Sequence, residues 1–201
     1  MKPLLPAALL LFSLNVQAQE PQVFNGYDAF YASQPDRLFG GDGEDIAVSP
    51  DHAVRIDGKN YRLGRAIAFP GESVYPGDLG RTATLYRSHT HYCIEGAGAS
   101  SGTATRHVSV YLLGRKDGSM YKLASLFAAC RMIGRDDAGE VAFPQARIVN
   151  YRAAYDADGV RLCMFSIKGR RFVPSGQGSE ITFPDPSNFY RLQLGRTGAI
   201  C

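Results

Sequence analysis

The residue types best able to do chemistry crowd into one stretch, His89-Thr90-His91-Tyr92-Cys93. On an extended strand, positions 89, 91 and 93 project to one face, which sets the two imidazoles about 7 Å apart. Such a pair can share Zn²⁺ or Cu²⁺, because imidazole suits both ions. A site also needs a third ligand, for which His107, Cys93 and Glu95 are the candidates. The competing expectation is a polar strand face of histidines, Arg87 and a disulfide-bonded Cys93, holding no metal and no other cofactor.

Gly98-Ala99-Ser100-Ser101-Gly102 matches G-x-S-x-G, the turn that exposes a hydrolase nucleophile between a strand and a helix. Ser100 is therefore the candidate nucleophile. The residues that follow, TATRHVSVYLL, alternate as a strand does. The helix that this turn requires is missing, so a Gly/Ser-rich hairpin loop is the better expectation. A Ser–His–Asp set could be drawn from Ser100, His107 or His89 and several aspartates, yet no spacing selects one. The chain is expected not to be an enzyme.

Lys168, Arg170 and Arg171 form the one basic run, beside Phe172 and the Gly-rich segment Pro174–Ser179. Cations grouped in this way would meet an anionic glycan, a lipid head group or an acidic protein face. A net charge of +3 on 201 residues disfavours nucleic acid. Asp42, Glu44 and Asp45, and likewise Asp136, Asp137 and Glu140, depart from calcium-loop spacing and read as turns.

Cys93, Cys130, Cys163 and Cys201 contain no C-x-x-C, which argues against a thioredoxin-like pair or a zinc ribbon. Four cysteines in an oxidising compartment read as two disulfides, with three pairings open.

The elements that must position these groups have mostly a period of two. Val54 and Ile56 precede Asp57-Gly58, a hairpin-turn dipeptide, and Tyr61 to Phe69 then alternates as a second strand. Thr82–Ile94 and His107–Leu113 read as further strands, the latter with His107, Ser109 and Tyr111 on a solvated face. Asp117-Gly118 makes another turn. Met120–Ile133 is expected to begin as a strand and end as a short helix capped by Gly134. Ala146–Tyr155 and Val160–Ile167 form a last hairpin, followed by short strands near Glu180–Phe183 and Phe189–Leu194. The Asp-Gly turns are unevenly spaced, so no repeat architecture is implied. The expected fold is mainly β, an antiparallel sandwich or barrel-like sheet of hairpins with one or two short helices, stabilised by disulfides.

Residues 1–18, MKPLLPAALLLFSLNVQA, have the charged start, short apolar run and A-x-A-like end of a signal peptide cleaved after Ala18. The run is shorter than the about 20 residues of a membrane span. No cysteine precedes Cys93, so no lipid attachment is expected, and the destination is the bacterial periplasm or the outside. Residues 19–52 read as an acidic, irregular arm packed by Phe24, Tyr27, Phe30, Tyr31 and Phe39, with one helical turn near Tyr27–Ala32. Residues 53–201 read as a single β-rich domain. From residue 19 to 60 eight acidic side chains face three basic ones, a charge of −5, whereas residues 61–201 carry +7.

Export, disulfides and mobile loops on a β scaffold lead to an expected function as a non-enzymatic binding protein of the cell envelope. It would be an inhibitor or immunity-type protein that occludes another exported protein. The alternative is a metal-binding protein or hydrolase built on the His89/His91 face.

Overall fold

A computed structural model describes residues 22–34, 36–96, 106–150 and 157–201, without the side chains of residues 76, 78, 196, 197, 199 and 200. Residues 1–18, the Gly98–Gly102 motif with Ser100, and residues 151–156 lie outside the described residues.

The chain is mainly β. In order come β1 (Val23–Asn25), α1 (Tyr27–Ala32), β2 (Glu44–Ala47), β3 (Ala53–Ile56), β4 (Lys59–Arg62) and β5 (Ile67–Ala68). They are followed by β6 (Thr82–Arg87), β7 (His91–Gly96), β8 (Ser109–Gly114), β9 (Met120–Lys122) and β10 (Gly134–Arg135). The chain then builds β11 (Val141–Val149), β12 (Gly159–Lys168), β13 (Arg171–Thr182) and β14 (Arg191–Ile200). One six-stranded sheet runs β1-β14-β13-β12-β11-β10 and another β2-β6-β7-β8-β9-β5, while β3 and β4 pair as a separate hairpin. All these pairings are antiparallel except β5 with β9, which is parallel.

Side-chain alternation explains the layering. Cys93, Val110, Leu112 and Tyr121 of the second sheet join Phe143, Val160, Leu162 and Leu192 of the first in one core. The opposite face of the second sheet presents Leu85, Tyr92, Ile94, Tyr111 and Leu113. These pack with Val54, Ile56, Tyr61 and Leu63 of the β3–β4 hairpin and the single 3₁₀ turn after it, a second core. Because both faces of β8 are covered, Ser109 and Tyr111 are buried, and only His107, just before the strand, is exposed as the alternation suggested. Tyrosine is amphipathic, so its place on a face does not mark that face as wet.

Other local readings change for reasons visible in the bonding. Thr82–Ile94 is not one strand but β6 and β7, folded back at Ser88–Thr90, where the Ser88 amide and hydroxyl both donate to the His91 carbonyl. Met120–Ile133 carries no α-helix, only a 3₁₀ turn over Cys130–Met132. Here the Phe127 amide donates to the Arg106 carbonyl at 2.6 Å, and Phe127 sits at φ 52, outside the helical region. The strand after Asp57-Gly58 stops at Arg62. The turn itself is as expected, with Asp57 and Gly58 both at positive φ.

The segment 22–52 is woven into both sheets. β1 pairs with β14 and β2 with β6. The apolar face of α1, Tyr27, Phe30 and Tyr31, has the i, i+3, i+4 spacing of a helix and joins the first core with Phe24 and Phe39. Two disulfides tie the structure, Cys93–Cys130 and Cys163–Cys201, as befits an oxidising compartment outside the cytosol. No helix among the described residues is long and apolar enough to cross a membrane.

Candidate functional site

A cavity of about 230 Å³ with a mainly apolar lining lies between α1 and the first sheet. Its floor is Ala142 and Pro144 of β11, Leu162 and Met164 of β12, and Ser179 of β13. Register accounts for this grouping, because Pro144 lies opposite Met164, and Leu162 lies opposite Ser179. Phe30, Tyr31 and Gln34, from α1 and the turn that ends it, form the roof. The helix is held there by the Tyr31 hydroxyl, which donates to the Phe127 carbonyl at 3.0 Å, and by the Gly26 amide on the Tyr190 carbonyl at 2.6 Å.

Two short segments make the walls. Arg131 and Met132 follow Cys130, which is fixed to β7 twice. One tie is the Cys93 disulfide, and the other is the Cys130 amide donating to the Glu95 carboxylate at 2.5 Å. Glu95 also accepts from the Tyr86 hydroxyl at 2.9 Å. Burial pushes the Glu95 carboxyl above its ordinary range, against the lowering effect of these two donors. On the other side Arg37 bridges to Gly134, and Arg135 follows. A Cβ at Gly134 would lie 2.9 Å from the Asp36 carbonyl, so glycine permits this close approach.

Three guanidiniums rim the opening. Arg131 reaches the exposed Asp42 at 3.4 Å. Arg135 donates to the Gly139 carbonyl at 2.6 Å and contacts the Thr90 hydroxyl at 3.4 Å. The Arg37 guanidinium makes no hydrogen bond or ion pair among the described residues. Asp36 is the one acid in the lining. The arrangement can take up an apolar group and hold an anionic group beside it.

The residues singled out from sequence lie elsewhere. His91 opens β7 while His89 sits in the β6–β7 turn, so the strand geometry that would align them is absent. Burial, reinforced by the Arg135 charge, holds the His91 imidazole below its ordinary value, and its Nδ1 lies 2.8 Å from the Thr90 hydroxyl. His91 pairs with Gly114 at one end of the β7–β8 ladder, and His107 precedes Ser109 at the other. At about 3.4 Å per residue the two are about 24 Å apart. Cys93 is bridged and cannot ligate. Among the described residues no group of three His, Cys, Asp or Glu side chains could hold a metal ion.

His107 has a partner that the sequence did not announce. Its Nδ1 lies 3.0 Å from the Ser125 hydroxyl, which donates at 3.0 Å to Glu72. Glu72 also accepts the Ser125 amide at 2.9 Å and pairs at 3.7 Å with Lys122, whose side chain is 3% exposed. The order differs from a catalytic triad, in which the acid orients the histidine and not the serine.

Lys168, Arg170 and Arg171 occupy the exposed tip of the β12–β13 hairpin, where Lys168 lies directly opposite Arg171. Arg170 also edges a polar groove of about 340 Å³ with Arg65 and Asp117–Tyr121. The groove is larger than the α1 cavity but has little apolar floor to desolvate a ligand. A further charged cluster is structural. Arg87 donates to Glu44 at 2.6 Å and to Asp57 at 2.9 Å, and its guanidinium and that of Arg115 lie over the Tyr92 ring at 5.5 and 4.8 Å. Tyr92 donates its hydroxyl to Asp57, which with the Arg87 bond holds that carboxyl below its usual range and pins the β3–β4 turn to the second sheet.

Compared with protein-family models, with curated proteins and with solved structures, the chain matches none.

Proposed function

We propose that the protein is an exported binding protein of the bacterial cell envelope that occludes another exported protein, as an inhibitor or immunity-type protein does. Its scaffold is read as an antiparallel sandwich, delivered by the leader segment of residues 1–18. The observation that carries the proposal is the α1 cavity with its apolar floor and three-arginine rim. At 230 Å³ it is smaller than the about 300–1,000 Å³ of sites for whole small molecules. Anchor pockets of protein interfaces instead take single side chains, surrounded by a polar rim.

The test is cross-linking and co-purification of tagged protein from the cell envelope. One exported protein should be recovered in a one-to-one complex. The charge reversal Arg37→Glu, at an exposed position, should weaken that complex at least tenfold, while His89→Ala and His91→Ala should leave it intact. If the histidine variants abolish the complex and release zinc or copper from the purified protein, the metal-binding reading replaces this one.

A hydrolase reading has one observation in its favour, the contact between His107 and Ser125. It requires Ser125 to be labelled by a serine-directed fluorophosphonate, and labelling that His107→Ala abolishes would support it.

A further inference from the structure

We infer that the α1 cavity recognises an acidic peptide segment of the partner that presents one aromatic or aliphatic anchor side chain. This rests on the binding-protein reading and names the chemistry of what is bound.

Size comes first. The cavity of 230 Å³ has room for about eight waters at ~30 Å³ each, which is the scale of one large side chain. Leu162, Met164, Pro144 and Met132 give such a side chain apolar contact, and Met164 offers the adaptable thioether that irregular fillings need. An anionic glycan has no group to place on that floor. The acyl chain of an envelope lipid would overfill it.

Charge comes second. Arg37 approaches the mouth from one segment and Arg131 and Arg135 from another, against Asp36 alone. None of the three is spent on a buried carboxylate. Arg131 meets Asp42, which is fully exposed, Arg135 meets a carbonyl and a hydroxyl, and Arg37 is uncommitted among the described residues. Guanidiniums left open in this way fit carboxylates in two-pronged pairs. An anchor flanked by Asp or Glu satisfies floor and rim together. The two demands are met within one short segment.

The probe is the acetylated, amidated peptide Asp-Glu-Phe-Asp-Glu with a fluorescent label, titrated into the purified protein and read by anisotropy. Saturable one-to-one binding is expected, weakened at least tenfold when Phe is replaced by Ala, and at least tenfold when the acids become Asn and Gln. Affinity should fall steeply as salt rises, because the rim is exposed. Arg37→Gln with Arg135→Gln should reproduce the loss at two exposed positions, and Met164→Glu should block the floor. Equal binding of the neutral peptide overturns the inference. So does binding of decanoate or anionic vesicles in place of the peptide. If the peptide fails to bind while Arg37→Glu still breaks the complex with the native partner, this inference falls and the binding-protein reading stands. If neither responds, both fall.

Discussion

At the scale of the residue, Glu95 shows how a buried polar group can fix the wall of a cavity. Its carboxylate holds the Cys130 amide and the Tyr86 hydroxyl, and so fixes where Arg131 and Met132 begin. Burial raises its pKa in the folded protein. Between the ordinary carboxylate value and this raised one, the folded state keeps a proton that the unfolded chain has lost. Stability therefore falls as pH rises through that window. Glu95→Gln should flatten this decline in denaturant titrations between pH 4 and 8, because a tyrosine hydroxyl can accept from an amide as well as donate to a carboxylate. Parallel wild-type and variant curves would contradict this account. The cysteines, the Asp57-Gly58 turn and the exposed His107 were legible from sequence because each depends on local chemistry. The three rim arginines were not. They stand at positions 37, 131 and 135, and no spacing rule connects the first with the others.

At the scale of the element, the two disulfides close loops of almost equal length, with sequence separations of 37 and 38. The chain-entropy account assigns each about 4 kcal/mol. They differ in access. Cys93 and Cys130 are both 0% exposed, whereas Cys201 is exposed at the end of β14. Under native conditions a thiol reductant should therefore open Cys163–Cys201 first and leave Cys93–Cys130 closed until global unfolding, as followed by alkylation and mass spectrometry. The reverse order would mean that the wall carrying Arg131 opens independently of the core. Gly178 of β13 lies between the two ends of the Cys163–Cys201 bridge. A Cβ there would come within 2.7 Å of the Cys201 sulfur and 2.4 Å of the Leu162 carbonyl. Strand periodicity located most of these elements, and α1 falls at Tyr27–Ala32 as expected. It failed where one run of β-forming residues hides a reversal, as at Ser88–Thr90, since Ser, His and Thr give no Asp-Gly or Asn-Gly signal.

At the scale of the whole molecule, the second sheet separates two cores, and β8 is buried along all six residues. Native-state hydrogen exchange should find the amides of Val110 to Leu113 among the slowest, and those of β1, β2 and β10 among the fastest, since these three lie at sheet edges or are short. Equal rates in β8 and at the edges would rule out the two-core arrangement. From sequence alone this layering was out of reach, because a strand covered on both faces loses the apolar–polar alternation by which its orientation is read. Part of the charge asymmetry along the chain is paired off across the fold. The acidic Glu44 and Asp57 both pair with Arg87, and Arg131 and Arg135 of the basic remainder stand at the cavity mouth beside Arg37.

The pairing of β1 with β14 sets an order in time. The first strand of the described chain has no neighbour in its sheet until the last has been made, and Cys163 waits equally for Cys201. A polypeptide that emerges amino end first must therefore hold Val23–Asn25 in suspense through the synthesis of every other strand. The helix α1 docks sooner, on Phe127 and Cys130–Met132, and the lining of the cavity it roofs is complete once Ser179 has been made. The amino-terminal strand is consequently the last part of the molecule to find its place, and a chain cut short during synthesis leaves it without a neighbour in its sheet.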